Sequence, residues 1–126
     1  MKYFCIPAGL LAVILAFSLW TGHYVKQQTD HWTGLLEEIE DLARQEDWEQ
    51  AEKRLEAAYA DWDGSQTFFH TIMDHDELDE AESLFAGAFA VCREEDGADF
   101  HMLLAQLKEQ LSLLSETQSA SVKNIL

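Results

Sequence analysis

Tyr3-Phe4-Cys5-Ile6-Pro7-Ala8-Gly9-Leu10-Leu11-Ala12-Val13-Ile14-Leu15-Ala16-Phe17-Ser18-Leu19-Trp20 is the stretch that decides the architecture. It carries no charge. Lys2 precedes it, and the next charged side chain is Lys26. An apolar run of that length predicts a membrane-spanning helix. Tyr3 and Phe4 at one end, with Trp20 and Tyr24 at the other, suit the two headgroup layers, where an aromatic ring can be half wet. A cleaved signal peptide would end in small residues, but Leu19 and Trp20 follow Ala16 and Ser18, and the run exceeds the usual signal core. A buried helix of a soluble domain would need apolar partners on all sides, and the rest of the chain is too polar to supply them. The expectation is an uncleaved signal anchor over residues 1–24. Cys5 lies near the start of the run, whereas a lipidated cysteine would follow it. Pro7 falls in the first turns, where a missing N–H matters least.

Outward from the anchor the chain turns acidic. The sequence holds eight Lys and Arg against 24 Asp and Glu, a net charge of −16. Lys2 and Lys26 are two of the eight, so residues 27–126 carry a net of −18. Such a domain repels nucleic acid and anionic headgroups and attracts cations or a basic partner. The weak asymmetry between Lys2 and the Lys26–Asp30–Glu37–Glu38 flank predicts the amino terminus in the cytoplasm and the bulk of the chain outside. Residues 25–126 are enough for one small domain. Cys5 and Cys92 give no disulfide framework and read as small packing residues.

Helical periodicity runs through that domain. Trp32, Leu35, Ile39 and Leu42 form a stripe over residues 25–46. No proline or loop cluster separates it from Trp20, so the membrane helix is expected to run straight into it. Asp47 is a good N-cap, with Gln50 three residues on. Trp48, Ala51, Leu55, Ala58 and Trp62 form the next stripe, and the short link implies an antiparallel hairpin. Asp63-Gly64-Ser65 reads as its end. Over residues 66–95, Phe68, Phe69, Ile72 and Met73 make one patch, while Leu78, Ala81, Phe85, Ala88 and Cys92 make a second stripe. The two are offset at Asp74-His75-Asp76. One long helix with a local distortion is favoured over a fresh helix starting at Asp76. Gly97 then marks a turn, Asp99 an N-cap, and Phe100, Leu104, Leu107, Leu111 and Leu114 a last helix that frays near Thr117. No segment alternates with the period of a strand. The predicted fold is all-α: an N-terminal membrane helix followed by an antiparallel up-and-down helical bundle.

The richest polar cluster is His70, Asp74, His75, Asp76, Asp79, Glu80 and Glu82. On one helix His75, Asp79 and Glu82 share a face, a spacing that suits zinc or manganese, with His70 as an addition. The competing reading is a solvated face whose carboxylates favour a helix start. The EF-hand glycine and bidentate glutamate, the His-Glu-x-x-His run and the Glu-x-x-His pair of di-iron bundles are all missing. Trp32, Trp48 and Trp62 read as core rather than as an aromatic ligand pocket. Cys92 lies among apolar residues that make a thiol inert. The stretch Asp47–Glu52 is like the opening of a tetratricopeptide repeat, but no period recurs. No catalytic set or cofactor motif is present, and a non-enzymatic module without a cofactor is expected. Ala8, Ala12 and Ala16, with Gly9 beside them, form a small-residue strip on the anchor that suits packing on a partner helix.

The anchor followed by Trp48-x-x-Ala51-x-x-x-Leu55 and Trp62, the run His75-Asp76-Glu77-Leu78-Asp79, and the ending Ser121-Val122-Lys123-Asn124-Ile125-Leu126 together resemble a family of small bacterial membrane-anchored proteins, domain-of-unknown-function family 4363. That family is similar to proteins of Gram-positive, often spore-forming, bacteria. Asp63-Gly64-Ser65 departs from its pattern, which is more continuously helical and more basic there. The resemblance implies a single-pass anchored helical domain and no known activity. Function is therefore expected to be binding or support of another envelope protein. The alternative is metal or ligand sensing through His75 and Asp79. An enzyme completed by a partner is a weaker third.

Overall fold

The computed structural model describes residues 2–73 and 75–125, with side chains for 5–71, 73 and 75–116. Among these residues there are four helices and no strand: α1 Lys2–Arg44, α2 Trp48–Ile72, α3 His75–Arg93 and α4 Gly97–Ile125. α1 packs on α2 and α4, and α3 packs on the same two, while Trp48 at the start of α2 reaches across to Phe100 of α4, with ring centroids 5.5 Å apart. That is a square up-and-down bundle, as short links between helices require.

α1 is continuous, as expected from the missing break between Trp20 and Trp32. Its 43 residues give about 65 Å at the usual rise. Its two parts have different surroundings. Ile6, Val13 and Phe17 are 77 %, 66 % and 57 % exposed, whereas Val25, Trp32, Leu36 and Ile39 are fully buried. This is the one helix among the described residues that is long and apolar enough to cross a membrane, and 6 % of its most apolar window is buried. The bundle does not enclose that part of α1, which removes the core-helix reading. In the bundle part, Leu36 fills the inner face, and Leu35 and Leu42 are only half-buried. Trp32 and Ile39 of the expected stripe are thus buried, while Leu36 takes the place expected for Leu35.

The end expected at Asp63-Gly64-Ser65 is not there, and α2 runs through it to Ile72. The reason lies in the buried face. Ala51, Leu55, Ala58, Trp62 and Phe69 are all fully buried. Phe69 follows Trp62 by seven residues, two turns of a helix, so both reach the core only if the helix is unbroken. A mid-helix glycine costs about 1 kcal/mol, less than the roughly 1.5–3 kcal/mol gained by burying a phenylalanine. Ser65 does not cap a new helix; its hydroxyl donates back to the Asp61 carbonyl at 3.2 Å.

The single long helix expected over residues 66–95 is also corrected. α2 ends at Ile72, the backbone of Met73 after it is extended (φ −127, ψ 159), and α3 starts at His75. Leu78 follows Phe69 by nine residues, two and a half turns. On one straight helix the two would face opposite ways. The chain stops and folds back, and both then reach the same core.

The other two turns are built alike. Arg44-Gln45-Glu46-Asp47 and Arg93-Glu94-Glu95-Asp96 share the pattern Arg-x-Glu-Asp. Glu46 and Glu95 take left-handed backbone (φ 61 and 56). In the first turn the Glu46 N–H donates to Ala43 O at 3.0 Å and the Asp47 N–H to Leu42 O at 2.9 Å. In the second the Glu95 N–H donates to Cys92 O at 3.1 Å and the Asp96 N–H to Val91 O at 3.4 Å. These paired bonds close the helix ends. Each aspartate then caps the next helix: Asp47 Oδ1 accepts from Gln50 N at 3.3 Å, and Asp96 Oδ1 from Asp99 N at 3.2 Å. The cap of α4 is therefore Asp96, and Asp99 is the residue it binds.

The core is aromatic around Trp62, whose ring centroid lies 5.2 Å from Trp32, 5.9 Å from Phe69 and 6.0 Å from Phe85. α4 closes it with Phe100, Leu104, Leu107, Leu111 and Leu114, all fully buried.

Candidate functional site

Where α2 and α3 face each other, polar groups gather on Glu82. Tyr59, Trp62 and Gln66 lie three and four residues apart on one face of α2. All three donate to the same carboxylate: the Tyr59 hydroxyl to Oε1, the Trp62 indole N–H to Oε2 at 3.2 Å and the Gln66 amide to Oε2 at 2.6 Å. Three donors on a half-buried carboxylate offset its loss of water. The other buried tryptophan is served in the same way, since Trp32 Nε1 donates to Asp61 Oδ2 at 3.1 Å.

The hydrogen bond to Glu82 is the main cause that raises the Tyr59 phenol from 10.0 to about 12, followed by burial and the charges of Glu82 and Asp63. The protonated hydroxyl is the form that donates, so folding favours it. Below pH 10 both folded and unfolded chains hold this proton, and the contribution is complete. Above that the unfolded chain releases it first, and the contribution is lost as pH rises towards 12. Absorbance titration of the tyrosines should therefore show one late-titrating phenol, and Tyr59→Phe should remove that late step.

The network continues to the α2–α3 junction. Glu82 only accepts, so the Gln66 nitrogen faces it and the Gln66 oxygen is left for His70, 3.2 Å from His70 Nε2. His70 Nε2 must then carry a hydrogen. In the neutral ring its Nδ1 is a lone pair. His75 Nδ1 lies 2.9 Å from it, and with His70 in that neutral tautomer it is the donor. Polar contacts thus run without a gap from the core to the two imidazoles that join α2 to α3.

The expected ligand set is not assembled. Glu82 is turned into the bundle, Asp79 is exposed, and His75 is paired with His70. No group of three or more His, Cys, Asp and Glu able to hold a metal occurs among the described residues. Asp74 lies outside the described residues. Ala8, Ala12 and Ala16 are exposed on the projecting part of α1, and a Cβ added at Gly9 would meet nothing within 4 Å. Cys92 is 2 % exposed, and burial pushes its thiol up to about 11.

A second polar group sits at the other end of the bundle. Glu40 of α1 is 7 % exposed. Lys108 Nζ lies 3.0 Å from Oε1, His101 Nδ1 3.6 Å from the same oxygen, and Arg44 3.6 Å from Oε2. Oε1 accepts no hydrogen bond, so its attraction to Lys108 is Coulombic. Glu40, Ala43, Arg44, Gly97, Phe100 and His101 line a cavity of about 180 Å³ beside it. Glu40 and His101 face this cavity as a carboxylate–imidazole pair, with no hydroxyl or thiol in its lining. Both polar groups read as solutions to burying charge in a small bundle.

Sequence reasoning missed the Glu82 and Glu40 groups. Spacing on α2 does place Tyr59, Trp62 and Gln66 on one face, but which carboxylate they meet depends on which helices are neighbours.

No curated protein and no solved structure matches the chain. A family model does, over residues 19–125. The match begins just before Thr21, the first buried residue of α1 among the described residues, and spans the bundle. The chain belongs to the family described as Domain of unknown function (DUF4363).

Proposed function

We propose that the protein is a non-enzymatic, single-pass membrane protein. Its acidic bundle lies outside the cytoplasmic membrane and binds or supports another protein of the envelope. One observation carries this reading: an exposed apolar half-helix continues without a break into a fully packed bundle. An apolar surface of this size rarely stays in water, and a lipid bilayer fits its length. Lys2 on one flank and the acidic domain on the other favour the amino terminus inside.

The contact with the partner is assigned to Ala8, Ala12 and Ala16, because small residues let helix backbones approach closely in lipid. Ala12→Leu keeps the anchor apolar but adds bulk at the middle of the strip. Affinity purification from detergent should recover a protein partner with the parent chain and lose it with Ala12→Leu. Equal recovery would move the contact to the bundle. Recovery of lipid alone with the parent chain would count against a partner of any kind.

A further inference from the structure

The geometry points to a second membrane contact: the α2–α3 end of the bundle rests in the phospholipid headgroup layer. This inference deepens the membrane-anchor reading and rests on it. α2 runs back along α1 towards the anchor. Phe68 packs edge-on against Trp20 and Tyr24, with ring centroids 6.3 and 4.9 Å away. Trp20 in turn contacts Phe17 and stacks on Tyr24. α2 then continues to Ile72, four residues or about 6 Å past Phe68. Its end therefore reaches the level of the last residues of the uncharged run. On one face of α1, Leu15 and Ser18 are already half-buried and Thr21 is buried, so the bundle overlaps the apolar run there too.

The dimensions leave no spacer between bundle and bilayer. Eighteen helical residues span about 27 Å, close to the roughly 30 Å hydrocarbon core. With Tyr3–Trp20 filling that core, Trp20 and Tyr24 lie at the boundary, where such rings are favoured. The junction residues His70, Thr71, Met73 and His75 then stand among the headgroups. Charge does not distinguish the two ends: Glu46, Asp47, Glu49, Glu94, Glu95 and Asp96 stand at the far turns, and Asp76, Glu77, Asp79 and Glu80 open α3 at the junction. The contact rests on the level of the junction along α1 and on the Phe68–Trp20–Tyr24 packing.

The test uses the full chain in phosphatidylcholine vesicles containing phosphatidylglycerol. Cys5→Ala and Cys92→Ala provide the background. Single spin labels are attached at Leu11→Cys, Thr71→Cys and Glu49→Cys, of which Thr71 and Glu49 are exposed. Collision with oxygen reports lipid, and collision with a water-soluble nickel complex reports water. The expected order is Leu11 in hydrocarbon, Glu49 in water and Thr71 between them, with nickel collisions several-fold below those at Glu49. Equal nickel access at Thr71 and Glu49, with Leu11 still shielded, overturns the headgroup contact and leaves the anchor intact. Nickel access at Leu11 overturns both.

Discussion

Replacing Trp62 with alanine is expected to cost about 3–5 kcal/mol, the range for removing a large aromatic from a packed core. Trp62 is fully buried and contacts aromatic rings from α1, from its own helix and from α3. Its loss leaves a cavity between three helices and removes one of the three donors to Glu82. Domains of this size have about 5–15 kcal/mol in total, so the variant should unfold at markedly lower denaturant concentration. Trp62→Phe keeps most of the apolar area and loses the N–H, and about 1–2 kcal/mol is expected from that change. Urea unfolding of the detergent-solubilised chain, followed by circular dichroism, measures both. A Trp62→Ala loss below about 1 kcal/mol, the level of a surface change, would mean that Trp62 does not sit at the centre of the core.

Gly64→Pro is expected to cost at least about 3 kcal/mol, because proline in a helix interior removes a backbone hydrogen bond and clashes with the preceding turn. Gly64→Ala should have the opposite sign and stabilise by about 0.5–1 kcal/mol. Gly64 is exposed, and a Cβ there would meet nothing within 4 Å, so only the helix propensity changes. A turn at Asp63-Gly64-Ser65 would give another pattern: proline tolerated and alanine neutral or harmful. The two variants measured side by side in the same urea series decide between a continuous α2 and a turn.

These two positions also show what the sequence discloses. The stripes over α2, α3 and α4 were legible because buried residues at three- and four-residue spacing leave a plain trace. The offset between the two patches at Asp74-His75-Asp76 was legible too, but it reads as a distortion of one long helix rather than as the break between α2 and α3. Local signals pointed elsewhere: Asp63-Gly64-Ser65 has a full turn composition, while Met73-Asp74 offers only an aspartate, with no glycine or proline. Burial of Phe69 overrode the glycine, as tertiary packing commonly overrides propensity. The resemblance to a more continuously helical family had pointed the same way.

The Glu82 group was less legible. His75, Asp79 and Glu82 do share one side of a helix by spacing, but α2 engages Glu82 and His75 through different groups and leaves Asp79 exposed. Glu82 meets three donors and turns inward, and His75 meets His70 across the junction. The matched turns at Glu46 and Glu95 were hidden for a different reason. Left-handed residues are usually glycine, and here both are glutamate.

Alkaline carbonate extraction of membranes carrying the full-length chain tests the anchor most directly. Carbonate strips peripheral proteins and leaves spanning helices in the bilayer. The chain is expected in the membrane pellet at its full length of 126 residues. Recovery in the supernatant, or as a species shortened by the anchor, would contradict an uncleaved membrane helix continuous with the bundle.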